Sequence, residues 1–233
     1  MFTFKQFTIN DSVCAMKVGT DGVILGAWAD MYSQKASPDI LDIGTGSGLI
    51  AIMLAQRFAH AKIDAIDIDE PAIIQTKENI SNCPYDNRIT AWQMDLANME
   101  EDKKYDLIVS NPPFYQEDTS CPDTKRDSAR HTSALPFDLL LSKASAMLKN
   151  DGTFCVILPT SSAGELIGLS ALYNLYLAKR TNIHTTTRKP AKRTLLAFTH
   201  DRNNDSELHE LFLRDENNDI SNEYKALTND FYL

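Results

Sequence analysis

Short apolar runs alternate along this chain with stretches in which apolar residues recur every three or four positions. From residue 39 onward, the runs 39–43, 62–67, 88–93, 105–110 and 152–158 predict strands. Between the first two, Leu49, Ile52, Met53, Ala55 and Gln56 form a helical stripe. Further helices are predicted over 69–81 and 137–148. Such alternation gives a parallel sheet with helices on both faces. The rhythm then changes, because 178–187 and 193–199 read as adjacent strands joined by the basic loop 188–192, an antiparallel pair. The expected fold class is therefore α/β, a mostly parallel seven-stranded sheet with a C-terminal antiparallel hairpin. Ahead of it, Phe2 and Phe4 suggest a strand, 17–22 a turn and 23–31 a small helix.

Composition narrows the classes. The 233 residues are 43% hydrophobic and 24% charged, which excludes disordered, collagen-like and coiled-coil chains. With no repeat or long linker, a single domain over 1–233 is expected, with extensions over 1–31 and 201–233 around a core over 39–200. The tracts 201–205 and 215–219 are polar enough to be exposed loops. The longest apolar stretches, 23–29 and 49–55, fall well short of the roughly 20 residues that cross a bilayer, and the N-terminus has no secretory pattern. Cys14, Cys83, Cys121 and Cys155 are too scattered for a metal knuckle or redox pair. They read as buried apolar fillers in a reducing, cytoplasmic compartment, and no metal site is expected. The net charge of −9 argues against a protein that coats nucleic acid indiscriminately. Yet Lys179, Arg180, Arg188, Lys189, Lys192 and Arg193 fall in one stretch without an acid.

The strongest local motif is Leu41-Asp42-Ile43-Gly44-Thr45-Gly46-Ser47-Gly48, at the end of the first core strand and opening a helix. Glycines serve where a backbone turns sharply and where a ligand must approach without a Cβ in the way. The dinucleotide pattern Gly-x-Gly-x-x-Gly would need glycine where Leu49 stands, so the spacing favours a ligand without pyrophosphate. Asp42 suits a cationic amino group. Asp67, ending the next strand, suits the two ribose hydroxyls of an adenosine, with Ile68 placed for its ring. Asp69 reads as a helix N-cap because Pro71 fits only a first turn. For Asp95, an adenine amino group and a plain surface turn are both open readings.

The second strong motif is Asn111-Pro112-Pro113-Phe114, after the fourth core strand. Two prolines cannot continue a ladder, so the Asn side chain and the Pro112 carbonyl are left as acceptors at a strand end. They suit an NH₂ group, such as the N6 amine of an adenine, whose lone pair is delocalised into the ring. Phe114 suits stacking on that ring, an interaction of roughly 1–3 kcal/mol per base. Open α/β sheets bind ligands at the C-terminal ends of their strands, so both motifs should share one crevice.

With these motifs in this order the sequence resembles the Rossmann-like class I S-adenosyl-L-methionine-dependent methyltransferases over about residues 39–200. Asn-Pro-Pro-Phe resembles the motif of members that methylate planar nitrogens. More narrowly, Lys17-Val-Gly-Thr-Asp-Gly22, Ser110 to Tyr115 and the ending Tyr224 to Leu233 resemble the bacterial tRNA1(Val) adenine-37 N6-methyltransferases. The resemblance implies S-adenosyl-L-methionine as cofactor, tRNA as partner, and a pocket closed by Lys17, Thr20 and Asp21. Phe114 and Asp67 stand where that family commonly carries Tyr and often Glu, keeping the ring and the carboxylate. The basic stretch then gains a phosphate-positioning role, carried by Arg188, Lys189, Lys192 and Arg193, with Lys125, Arg126 and Arg130 as further candidates. His131 is not assigned as a base, since the proton of a methylated amine can pass to water. Two alternatives stay open: a protein glutamine N5-methyltransferase, and a catalytically silent RNA-binding module. Oligomeric state is not legible.

Overall fold

A run of buried aliphatic residues needs cover on both faces, and the strands predicted at 39–43, 62–67 and 105–110 receive it. A computed structural model describes residues 1–14, 16–33, 35–113, 135–203 and 205–232. The chain begins with β1 (Phe2–Thr3), β2 (Thr8–Ile9) and α1 (Thr20–Trp28). It continues through β3 (Asp39–Ile43), α2 (Leu49–Arg57), β4 (Lys62–Asp67), α3 (Glu70–Ser81), β5 (Ile89–Gln93) and β6 (Tyr105–Ser110). The later described elements are α4 (Phe137–Met147), β7 (Leu148–Pro159), α5 (Thr160–Ser170), β8 (Tyr176–His184), β9 (Ala191–Thr199), β10 (Glu207–Phe212) and α6 (Asn222–Thr228).

The sheet runs β10-β8-β9-β7-β6-β3-β4-β5, and β9 alone opposes the other strands. The β8–β9 hairpin is the antiparallel pair expected from the sequence. The strand count is eight rather than seven, because β10 adds in parallel outside β8. Its first four residues are exposed, so no apolar alternation announces it; backbone pairing at the sheet edge holds it.

Other boundaries differ from expectation: β8 ends at His184 rather than at 187, and β9 begins at Ala191 rather than at 193, so the basic loop spans 185–190. The predicted turn over 17–22 ends early, because Gly19 is extended and α1 begins at Thr20. Gly26 in that helix faces α2 so closely that a Cβ would stand 2.8 Å from Met53 Sδ. Helix α5 was hidden by a Ser-rich run containing Gly164 and Gly168, both poor helix formers. Leu148 opens β7 instead of closing the helix before it.

The core has two layers. Val23, Ile24, Leu54 and Met53 pack one face of the sheet together with Phe4 and Phe231. Leu140, Ala144 and Leu166 from α4 and α5 pack the other. The two ends of the described chain meet on the first face: Lys5 N–H donates to the Phe231 carbonyl at 2.8 Å, and the Phe4 ring lies 4.7 Å from Phe7 and 5.9 Å from Tyr232. Cys14, Cys83 and Cys155 are free and buried, as fillers should be, and burial pushes the Cys155 thiol up to about 12. Cys121 lies outside the described residues.

Candidate active site

Strands β3 and β6 are parallel neighbours, with Ile43 opposite Ser110. The Ser110 hydroxyl donates to the Ile43 carbonyl at 3.0 Å and locks the two strand ends together. Gly44 and Asn111 are the next residues on each strand, so the two motifs emerge side by side, about 5 Å being the usual spacing of paired strands.

The glycine turn is left-handed at Gly44 (φ 71°), Gly46 (φ 57°) and Gly48 (φ 80°). A Cβ at Gly44 or Gly46 would meet nothing within 4 Å, whereas one at Gly48 would stand 2.9 Å from Thr76 Cγ2. The first two glycines thus leave their backbone open to a ligand. Gly48, predicted as a third contact, is required by packing on α3 and by its own φ.

The turn is held from every side. Gly44 and Thr45 N–H both donate to the Ile66 carbonyl at 2.9 Å, and Gly46 N–H donates to Asp67 Oδ2 at 2.9 Å. From α3, Thr76 Oγ1 donates to the Gly46 carbonyl at 2.6 Å and Asn79 Nδ2 to the Ser47 carbonyl at 2.8 Å. The same Asn79 exchanges hydrogen bonds with the main chain of Asn10, tying the N-terminal segment to the turn. Sequence reading missed Thr76 and Asn79. Their signal was polar residues inside the buried face marked by Ile73 and Ile80.

Asp42 lies beneath the turn and is wholly buried. It accepts from Thr45 Oγ1 at 2.6 Å and from Ala51 N–H at 3.2 Å, so it organises the turn and the start of α2. Its Oδ1 has no partner. Burial pushes the carboxyl up to about 7, against the pull of those two hydrogen bonds. Asp67 Oδ1 accepts from Asp69 N–H at 3.0 Å, and each Asp67 oxygen keeps acceptor capacity for a hydroxyl. Ile68 beside it is 66% exposed, an apolar side chain at the mouth of the site. Asp69 is the N-cap residue of α3 with Pro71 in the first turn, although its side chain makes no cap bond. Met94 N–H donates to the Asp67 carbonyl at 2.9 Å, which brings Asp95 to the same edge. One Asp95 oxygen caps a short helical turn through Ala97 N–H at 2.9 Å.

Asn111 is half-buried, Pro112 buried and Pro113 exposed. Phe114, Lys125, Arg126, Arg130 and His131 lie outside the described residues. Lys17 Nζ donates to the carbonyls of Asp11 and Ser12 at 2.7 and 2.9 Å, closing the loop that Asn79 anchors. Thr20 is exposed at the start of α1. The Asp21 carboxylate pairs through Oδ2 with Arg193 Nε at 2.7 Å, the two side chains being 33% and 30% exposed. A residue expected on the cofactor and one expected on phosphate therefore neutralise each other. Arg193 sits opposite Pro159, so the 185–190 loop emerges at the same sheet edge as the glycine turn. On it and just after it, Arg188, Lys189 and Lys192 are exposed, with no carboxylate partner among the described residues. Also among the described residues, no cluster of His, Cys, Asp and Glu could hold a metal, and no helix is long and apolar enough to cross a membrane.

This sheet order, with an open glycine turn after β3 and an acidic residue ending β4, defines a class I methyltransferase. The Methyltransferase small domain model matches residues 28–173. The fold is similar to that of a predicted O-methyltransferase from Agrobacterium tumefaciens, with TM-score 0.70 and 17% identity over 91% of this chain and 96% of that one. Closer in sequence are two curated proteins named tRNA1(Val) (adenine(37)-N6)-methyltransferase. The one from Bacteroides thetaiotaomicron is 43% identical over 100% of this chain and 97% of its own, and the one from Phocaeicola vulgatus 42% over the same shares. The chain belongs to this tRNA1(Val) (adenine(37)-N6)-methyltransferase family. Its residues fit the cofactor of the class on two observations: an orphaned carboxylate oxygen on Asp42 answers a cationic amino group, and the space before Gly44 and Gly46 is what a Cβ would fill.

Proposed function

We propose that this protein methylates the exocyclic N6 of adenine 37 in tRNA1(Val), the substrate named for its curated relatives, with S-adenosyl-L-methionine as donor. When bound, the cofactor supplies a methyl group on a cationic sulfonium and leaves as a neutral thioether. The chain's own residues bind and aim. Asp67 accepts from the ribose hydroxyls, Ile68 covers the cofactor's adenine, Asp95 accepts from its amine and Asp42 faces its amino group. Lys17 and Thr20 close the pocket through the N-terminal loop, and Asp21 does so indirectly by holding Arg193.

The Asn111 side-chain oxygen and the Pro112 carbonyl accept the two protons of the target amine. This holds its nitrogen toward the methyl group and lessens the delocalisation of its lone pair; Pro113 stiffens the loop, and Phe114 follows to stack on the base. A new N–C bond forms as the C–S bond breaks, and the extra proton passes to water. Catalysis is thus largely positioning. Arg188, Lys189 and Lys192 contact phosphates, with Lys125, Arg126 and Arg130 as further candidates. We read the chain as one catalytic domain acting in the cytoplasm, where tRNA is.

A single observation carries the reading: the open glycine turn and Asn111-Pro112 leave adjacent, hydrogen-bonded strand ends in a chain that matches a member of this family over 97% of that member's length. The test is transfer of labelled methyl from S-adenosyl-L-methionine to bulk tRNA, followed by digestion to nucleosides. Label is expected in N6-methyladenosine at position 37 of tRNA1(Val). Label only in methylglutamine of a protein substrate, or none in tRNA, overturns the proposal. Asn111→Ala is expected to lower kcat by about 100-fold or more while sparing cofactor affinity, as loss of an aiming contact should.

A further inference from the structure

The basic loop after β8 is anchored by an unusual set of contacts at its root. His184, the last residue of β8, has both ring nitrogens in contact. Nδ1 lies 2.7 Å from the Lys189 carbonyl oxygen and Nε2 2.6 Å from Glu210 Oε2 on β10. Both partners are acceptors. The ring is therefore held at both nitrogens, between the loop tip on one side and β10 on the other.

The surrounding groups fix these roles. Arg180 Nε donates to Asn182 Oδ1 at 2.9 Å, and Thr194 Oγ1 lies 3.3 Å from that same oxygen. The Asn182 amide nitrogen must therefore point the other way, where it donates to Glu210 Oε1 at 2.8 Å. Glu210 accordingly accepts through both oxygens. Desolvation works against its charge, but the bonds from Asn182 and His184 outweigh it and hold its carboxyl below the ordinary range. Phe212 stacks on the His184 ring at 4.7 Å and holds its plane. The Lys189 carbonyl is the one main-chain group of the loop tip that this network grips.

We propose that His184, clamped between the Lys189 carbonyl and Glu210, is a positioning residue that presents Arg188, Lys189 and Lys192 to the tRNA backbone. The inference rests on the proposed reading of the loop as phosphate-contacting. It also gives β10 a role: this mostly exposed edge strand delivers the carboxylate that holds the ring.

Glu210→Gln separates geometry from charge. Its amide oxygen can accept from Asn182 while its amide nitrogen donates to Nε2 of a neutral ring, whose Nδ1–H keeps the Lys189 carbonyl. Glu210→Ala removes both bonds. The experiment measures kcat and KM for tRNA methylation, with cofactor affinity by calorimetry, in the full-length chain and in His184→Ala, Glu210→Ala and Glu210→Gln. We expect His184→Ala and Glu210→Ala to raise KM for tRNA by about tenfold, the worth of a charge-assisted clamp, with kcat and cofactor affinity within about twofold. Glu210→Gln should restore KM to within about threefold of the unmodified protein. Unchanged KM in both alanine variants, a loss confined to kcat, or Glu210→Gln as impaired as Glu210→Ala each overturns the inference. Should His184→Ala fail to fold, the Glu210 pair still decides, since that side chain is 43% exposed. An unmodified protein inactive on tRNA would instead overturn the function proposed above, and this inference with it.

Discussion

Gly46 and Gly48 share a left-handed backbone but differ in what surrounds the missing Cβ, and this contrast gives a sharp test of where the cofactor lies. Alanine at either position incurs the left-handed penalty, roughly 1–2 kcal/mol. At Gly46 the strain cannot relax, because its N–H is held by Asp67 and its carbonyl by Thr76, at 2.9 and 2.6 Å. Its new methyl meets nothing within 4 Å, so stability falls by that penalty alone. At Gly48 the methyl would also stand 2.9 Å from Thr76 Cγ2, adding an overpacking cost of about 1–3 kcal/mol. Urea unfolding should therefore rank Gly48→Ala as the less stable variant. Calorimetric titration with S-adenosyl-L-methionine should rank them differently. Gly46→Ala, whose methyl fills the space left for the ligand, should lose at least about tenfold in affinity, or roughly 1.4 kcal/mol. Gly46→Ala binding with undiminished affinity would refute the placement of the cofactor, and equal stabilities would refute the tight contact with Thr76.

Two further outcomes follow from charge. The Asp42 carboxyl is raised from 3.8 to about 7 in the folded protein, so the native state holds a proton that the unfolded chain has lost between these values. Its contribution is therefore fully present below about pH 4 and declines as pH rises toward 7, by up to about 1.4 kcal/mol per pH unit. Urea unfolding of the unliganded protein at pH 5 and pH 7 should show this slope, and Asp42→Asn should remove it; an unchanged slope would refute the assignment. In the basic loop, Arg188→Ala with Lys192→Ala should weaken tRNA binding across sequences and reduce the salt-dependence slope by roughly one per cation. Filter binding over a salt series checks this, and an unaltered slope would remove the loop from the RNA interface.

The parts legible in the sequence are those whose cause is local. A strand such as 105–110 announces itself by the apolar run Leu107-Ile108-Val109, and the glycine turn and the Asn-Pro-Pro run encode main-chain geometry within a few positions. Parallel pairing of their strands then suffices to bring both motifs to one edge. What escaped depends on distant partners. Asp21 and Arg193 are 172 positions apart, and no pattern around either announces their ion pair. Asp42 was readable as an acidic residue before glycines, but its complete burial comes from packing around the turn and α2. Thr76 and Asn79 looked like ordinary helix residues until the turn came to rest on them. Strand β10 buries only Leu211 of its six residues, so periodicity had little to report.

The seam between Lys5, Phe4 and the Phe231–Tyr232 segment sets an order of events during biosynthesis. Phe4 and Lys5 meet these partners only after every strand of the sheet, which lies between them in the chain, has been made. Contacts this remote along a chain form late and slowly. The N-terminal loop gripped by Asn79 is continuous with that seam, so the pocket should reach its finished shape only once Phe231 and Tyr232 have been made. A nascent chain halted upstream of Phe231 would carry every chemical motif and still lack a fastened wall.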